Sequence, residues 1–357
     1  MFSIEDFSFS VEELHLLGWL SYTALVKEAD NDSSKGFWSS LAAVYLNEES
    51  SVTQARLAEI KRSKRAWLNN WKQNLKKLLN LNDINFDTPP DLAMQDFARR
   101  VSKEKLMCFI IEAATVEAYY PLTGNDVDRL KGVKLNQGMF IAYLSKILSS
   151  LDSKYNLENL IEIRSVYFSS TKQIAKGVKG SNNTLMWMSA SAVVVFIVAP
   201  YLAAGIGGLM GLSGAAATSA GLALLGGGSI AAGGFGMAGG TFALMAGGLL
   251  VGYKVGDVQH KNSLSQISAE NLLVSGAKLY TAICIANRFK LYPDFTFKGV
   301  LVEICSKTRA IQYDLETEVD NSCIKNSCTT EIRKELIKKT KVLSVLREKV
   351  RNLLTDR

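Results

Sequence analysis

Residues 180–253 form a run of 74 positions without a single Lys, Arg, Asp, Glu or His. About 18 apolar residues without charge already make a candidate membrane span, because about 20 residues at about 1.5 Å each cross the hydrocarbon core. A charge-free run this long must lie either in the dry interior of a protein body or in lipid. Its glycine content favours lipid: 18 of the 74 residues are Gly, and each costs a helix in water about 1 kcal/mol relative to Ala. In hydrocarbon the penalty for unpaired backbone groups outweighs that cost and enforces the helix.

The run divides unevenly. Residues 185–204, LMWMSASAVVVFIVAPYLAA, contain the bulky side chains of Leu185, Val194 and Phe196, with Trp187 near one end and Tyr201 near the other. Aromatic residues so placed suit the two interfaces of a bilayer. Pro200 would kink such a helix, which a membrane span tolerates. A second span is expected over 229–253, with Phe235, Phe242 and Leu249 facing lipid and Tyr253 beside Lys254 as its interfacial anchor. Between them, 205–228 is a third span, a re-entrant segment or a folded connection. Lys172, Lys176 and Lys179 precede the run and Lys254 and Lys261 follow it, so the positive-inside rule keeps both ends on the cytoplasmic side and favours an even number of crossings.

Glycine at this density also serves packing. Lipid offers no hydrophobic drive between helices, which associate where small residues let backbones touch. Gly207 with Gly211, Gly236 with Gly240, and Gly248 with Gly252 are G-x-x-x-G pairs, and Gly228, Ala232, Gly236 and Gly240 extend one ridge along a helix face. Gly234, Gly236 and Gly239 also spell G-x-G-x-x-G. No β-branched strand leads into them, so the dinucleotide reading of that motif lacks its structural context.

The flanks read as helical. Net charge is +7 over the whole chain, and no stretch alternates with the period of a half-buried strand for more than a few residues. Helices are expected over about 10–25, where Ser10 and Glu13 make a capping box, and over 36–46, 53–81, 91–119, 125–151, 157–177, 263–291, 295–319 and 329–354. In 53–81 the tryptophans Trp67 and Trp71 share a stripe with Leu57 and Ile60, so Lys61, Arg62, Lys64 and Arg65 are taken as its solvated side and nucleic acid is not an expected partner. In 329–354, Ile332, Leu336, Leu343, Leu346, Val350 and Leu353 recur at coiled-coil spacing with Lys339 among them. That stripe serves packing within the protein, a homo-oligomer or a partner.

No chemistry-bearing constellation stands out. The five cysteines, Cys108, Cys284, Cys305, Cys323 and Cys328, are odd in number and irregular in spacing, which points to a reducing compartment without a zinc site. His15 reads as a helix-face residue. The carboxylates Glu112 and Glu117, like Asp126 and Asp128, read as solvated charges or caps. Acidic residues Glu5, Asp6, Glu12 and Glu13 occupy the region where a secretory signal would need basic and then apolar residues. The expected route to a membrane is through the middle of the chain.

Two resemblances accompany these patterns. Residues 243–258, ALMAGGLLVGYKVGDV, resemble the Gly/Ala-rich membrane segment of the transmembrane and coiled-coil domain family, in which a G-Y-K triplet leads into an α/β-hydrolase domain. The similarity covers residues 185–260. No G-x-S-x-G nucleophile elbow follows Tyr253 and His260 is the one later His, so the hydrolase activity does not carry over. Residues 105–130, KLMCFIIEAATVEAYYPLTGNDVDRL, are distantly similar to the helical tellurite-resistance B-type domains, without a clear acidic metal pattern.

The expectation is an all-α, non-enzymatic protein without cofactors in three parts: an N-terminal helical domain (1–179), a Gly-rich membrane-inserting hairpin (180–253) and a C-terminal helical domain (254–357). Its partner is the lipid bilayer. Its role is membrane integration or triggered insertion, as in a permeabilising effector of a bacterial defence or toxin system. The alternative is a membrane-anchored helical scaffold without pore activity. Both flanks lie at the cytoplasmic face, or the whole is cytoplasmic until triggered.

Overall fold

A computed structural model describes residues 9, 11–31, 51–79, 86, 88–116, 118–119, 130–178, 269–324 and 330–355. The described residues are all-α: nine helices and one 3₁₀ turn, with no strand among them. The helices are α1 (Val11–Asn31), α2 (Ser51–Leu79), α3 (Asp91–Arg100), α4 (Lys103–Ala114), α5 (Gln137–Leu148), α6 (Leu157–Val178), α7 (Ala269–Arg288), α8 (Asp294–Ile324) and α9 (Thr330–Thr355). The expected hairpin, its membrane-facing and helix-packing residues, and the expected helix over 36–46 lie outside the described residues. Among those described, no helix is long and apolar enough to cross a membrane.

Several boundaries differ from the sequence reading for local reasons. The single helix expected over 91–119 is two, α3 and α4. Val101 is extended (φ −98°, ψ 162°), and the Ser102 side chain caps α4 by accepting from the Lys105 N–H at 3.0 Å. A β-region N-cap whose oxygen takes an orphan N–H competes with helix continuation. The helix expected from 125 starts at Gln137, where the Asn136 side chain accepts from the Met139 N–H at 3.2 Å. The helix expected over 295–319 runs over Asp294–Ile324 as α8, with Val300, Leu301 and Ile304 on its buried stripe although Val and Ile are weaker helix formers.

One contiguous core runs through helices from both sides of the uncharged run. Leu14, Trp67, Phe109, Phe140 and Tyr167 from the front join Leu272, Ile283, Leu301, Leu346 and Val350 from the back. α7 packs against α6 and α4 from the front and against α9 from the back, while α8 packs against α9. The stripe of α9 faces inward: Leu336, Leu343, Leu346 and Val350 are buried, and Lys339 is buried with them. α9 docks at two glycines. A Cβ on Gly177 would stand 2.5 Å from Val345 Cγ2, and one on Gly276 would stand 3.1 Å from Leu346 Cδ2.

Candidate membrane-insertion base and its buried anchors

The helices on either side of the uncharged run, α6 and α7, are paired with opposite direction. At the start of α6, Glu162 binds Arg288 at the end of α7, with Arg288 Nη1 2.5 Å from Glu162 Oε2 and Arg288 Nη2 donating to Asn159 Oδ1 at 3.3 Å. Val178 at the end of α6 and Ala269 at the start of α7 therefore lie at the same end of the pair. α9 runs alongside α7 in the same direction. The Ala269 N–H donates to Glu335 Oε1 at 2.6 Å near one end, and Lys349 Nζ lies 4.5 Å from the Tyr280 ring further along while also donating to Gln173 of α6. Three helices thus hold together the two points where the chain leaves and re-enters the described body.

A buried ion pair ties this unit to the front of the chain. Glu112 of α4 and Lys278 of α7, 166 residues apart, form a direct salt bridge with side chains 4 % and 2 % exposed. Burial pushes the Glu112 carboxyl above the usual carboxylate range, and the Lys278 ammonium pulls against that shift. This corrects the reading of Glu112 as a solvated charge; Glu117, Asp126 and Asp128 lie outside the described residues. A signal was present in the sequence. Glu112 is the sole charge in LMCFIIEAA and Lys278 the sole charge in LLVSGAKLYTAICIA, and a lone charge on an all-apolar helix segment requires a partner when buried. Sequence offered no means of pairing them.

Close by, Arg164 of α6 is buried and its Nη1 donates to the carbonyls of Ala114 at 2.8 Å and Val116 at 2.9 Å. A cation on the last carbonyls of α4 complements its dipole and satisfies acceptors that the helix leaves open. Its guanidinium lies 4.8 Å from the Phe168 ring centre.

A second buried centre gathers the front helices. Glu28 of α1 and Lys64 of α2 are fully buried, with Lys64 Nζ 2.5 Å from Glu28 Oε1. The same oxygen accepts the Asn136 N–H at 2.8 Å, and Oε2 accepts the Tyr119 hydroxyl at 2.5 Å. Tyr119 holds a left-handed backbone, φ +69°, which is costly for an aromatic residue and persists where surrounding contacts over-determine it. Trp67 meets its ring edge-on at 5.3 Å, and Trp67 and Trp71 stack at 6.0 Å. Both tryptophans are buried, on the core face that their spacing with Leu57 and Ile60 indicated. Lys64, read as part of the solvated side, is buried instead because Glu28 lies opposite it.

The other singled-out residues take no part in these centres. His15 stacks on Trp19 at 5.8 Å and meets Phe86 edge-on at 5.4 Å, and burial lowers its pKa. Cys108, Cys284 and Cys305 are not in disulfides, and burial raises the pKa of Cys284 and Cys305. No His/Cys/Asp/Glu group among the described residues could hold a metal ion. Comparison of the chain with protein-family models, with curated proteins and with solved structures finds no match.

Proposed function

We propose that this protein puts its uncharged 180–253 run into a lipid bilayer as a glycine-packed hairpin, with the helical body remaining at the cytoplasmic face as its base. The observation that carries the reading is the opposed pairing of α6 and α7, fixed by Arg288 on Glu162 and Asn159. A run that leaves and returns at one end of a body makes an even number of crossings, in keeping with the lysines on both of its flanks. The length and lack of charge supply the drive for lipid, and the Gly236/Gly240 ridge supplies close helix contact.

The finer reading is triggered permeabilisation, as by a defence or toxin effector, because a glycine-dense helix is poor in water and stable in lipid. The likeness of 243–258 to the membrane segment of the transmembrane and coiled-coil domain family accords with insertion. Full-length protein added to dye-loaded anionic liposomes is expected to release dye. G236L/G240L is expected to bind the vesicles while releasing little. Binding by the wild type without leakage under any activating condition would instead establish an anchored scaffold, and failure to bind or resist carbonate extraction would end the membrane reading.

A further inference from the structure

α8 is a helix of 31 residues that packs against α9 through Leu301, Ile304, Ile311 and Leu315, all buried. Among its described side chains the opposite face is exposed, and positions 298, 302, 306, 309, 313, 316 and 320 fall within one narrow stripe at about 100° per residue. Two large apolar side chains stand on that stripe three turns apart, Val302 at 57 % and Tyr313 at 68 % exposure. Lys298 and Arg309 are its cations and Glu316 and Asp320 its carboxylates, with Glu316 held by a 2.8 Å hydrogen bond from Gln312 of the same helix.

The order of these residues is self-complementary. We propose that this face of α8 pairs with the same face of a second copy, antiparallel about a two-fold axis that crosses the helix between Lys307 and Thr308. That register sets Val302 against Tyr313 of the second copy and Ser306 against its Arg309. It also brings Lys298 beside its Glu316, and the symmetry makes every contact twice. A parallel pairing would set Lys298, Arg309 and Glu316 each against its own copy, and like charges facing across an interface oppose association. The charge order therefore selects the antiparallel arrangement. This interface differs from the apolar stripe of α9, which is buried within one copy.

One consequence concerns the membrane. α8 runs opposite to α9 beside it, with Cys305 Sγ facing the Arg347 carbonyl at 4.0 Å across the pair. α9 in turn follows the axis of α6 and α7, so a two-fold across α8 points the Val178/Ala269 ends of the two copies in opposite directions. Copies so joined cannot put their runs into the same flat bilayer, and the pair belongs to the form outside it. That step rests on the membrane reading; the pairing does not.

The test uses full-length protein in mild detergent, with protein mass followed by light scattering against concentration. Wild type is expected to form dimers. K298E and E316K, both at exposed positions, are each expected to weaken self-association by about tenfold or more with unchanged circular dichroism. An equimolar mixture of K298E and E316K is expected to dimerise as wild type does, because both 298–316 contacts in the mixed pair then join opposite charges. Wild type that stays monomeric up to roughly 100 µM, where even a small interface would be populated, would overturn the proposal. So would a dimer that neither substitution weakens, or a mixture that does not recover. Dimers that form as described alongside vesicles that never bind the protein would retain the pairing and remove the membrane reading alone.

Discussion

Glu112 and Lys278 show how much a single buried contact governs here. Removing one member of a buried ion pair leaves the other uncompensated, so E112A or K278A is expected to lose about 3–5 kcal/mol in urea unfolding. Replacing both together, as in E112L/K278M, is expected to recover most of that loss, since a packed apolar pair avoids desolvating two charges. Acidity tests the same site. Because burial raises the Glu112 pKa, the folded state holds that proton more tightly than the unfolded chain. The resulting stability is complete below the ordinary carboxylate value and is lost as pH rises through the higher folded value. The advantage of wild type over E112Q is therefore expected to shrink as pH is raised from about 4 to 8, and an advantage that grows with pH would contradict the assignment. At the second centre, Y119F withdraws the hydroxyl from the buried Glu28 carboxylate and is expected to destabilise by about 1–3 kcal/mol. The first centre was half visible in advance, since Glu112 and Lys278 are lone charges within apolar segments and nothing local indicated their partners; the second was not, because Glu28 stands beside Lys27 and Asp30 and Lys64 within a run of other cations.

At the level of elements, the helices themselves were largely legible, because a 3.6-residue apolar period reports which face is buried. The breaks were less so. Ser102 and Asn136 interrupt expected helices through single side-chain caps, an interaction that periodicity does not register. The seating of α9 on Gly177 and Gly276 was not legible at all, since a glycine within a helix is ambiguous until its neighbour is known. In a helix interior Gly→Ala normally stabilises by about 0.5–1 kcal/mol. Here the added methyl group meets Val345 or Leu346, so G177A is expected to be no more stable than wild type despite better propensity. G276V is expected to lose about 1–3 kcal/mol through overpacking. Thermal unfolding of both variants measures this, and a stabilised G177A would show that α9 yields at that point.

For the whole molecule, the uncharged run is an insertion between two helices that pack on each other, and the core on one side of it is continuous with the core on the other. The three-part division of the chain describes composition, whereas the packing joins the outer parts. Packed helices lie about 8–10 Å apart, and a Gly/Ser linker of about ten residues reaches roughly 17 Å. A chain in which residues 179–268 are replaced by such a linker is therefore expected to keep a helical circular dichroism spectrum and to unfold cooperatively. Circular dichroism through a urea titration decides it. Loss of cooperative unfolding would mean that the body depends on the segment removed.

The amino-acid order alone determined the helical class, the tryptophan face of α2, the inward stripe of α9, and the exceptional character of residues 180–253, because each follows from period, polarity and length along the chain. Tertiary structure decided that α6 and α7 are antiparallel neighbours, that Glu112 meets Lys278 and Glu28 meets Lys64, and that α9 closes onto two glycines. Those are contacts between positions far apart in the chain, and their free energy arises from desolvation and close packing that exist only once the helices have met.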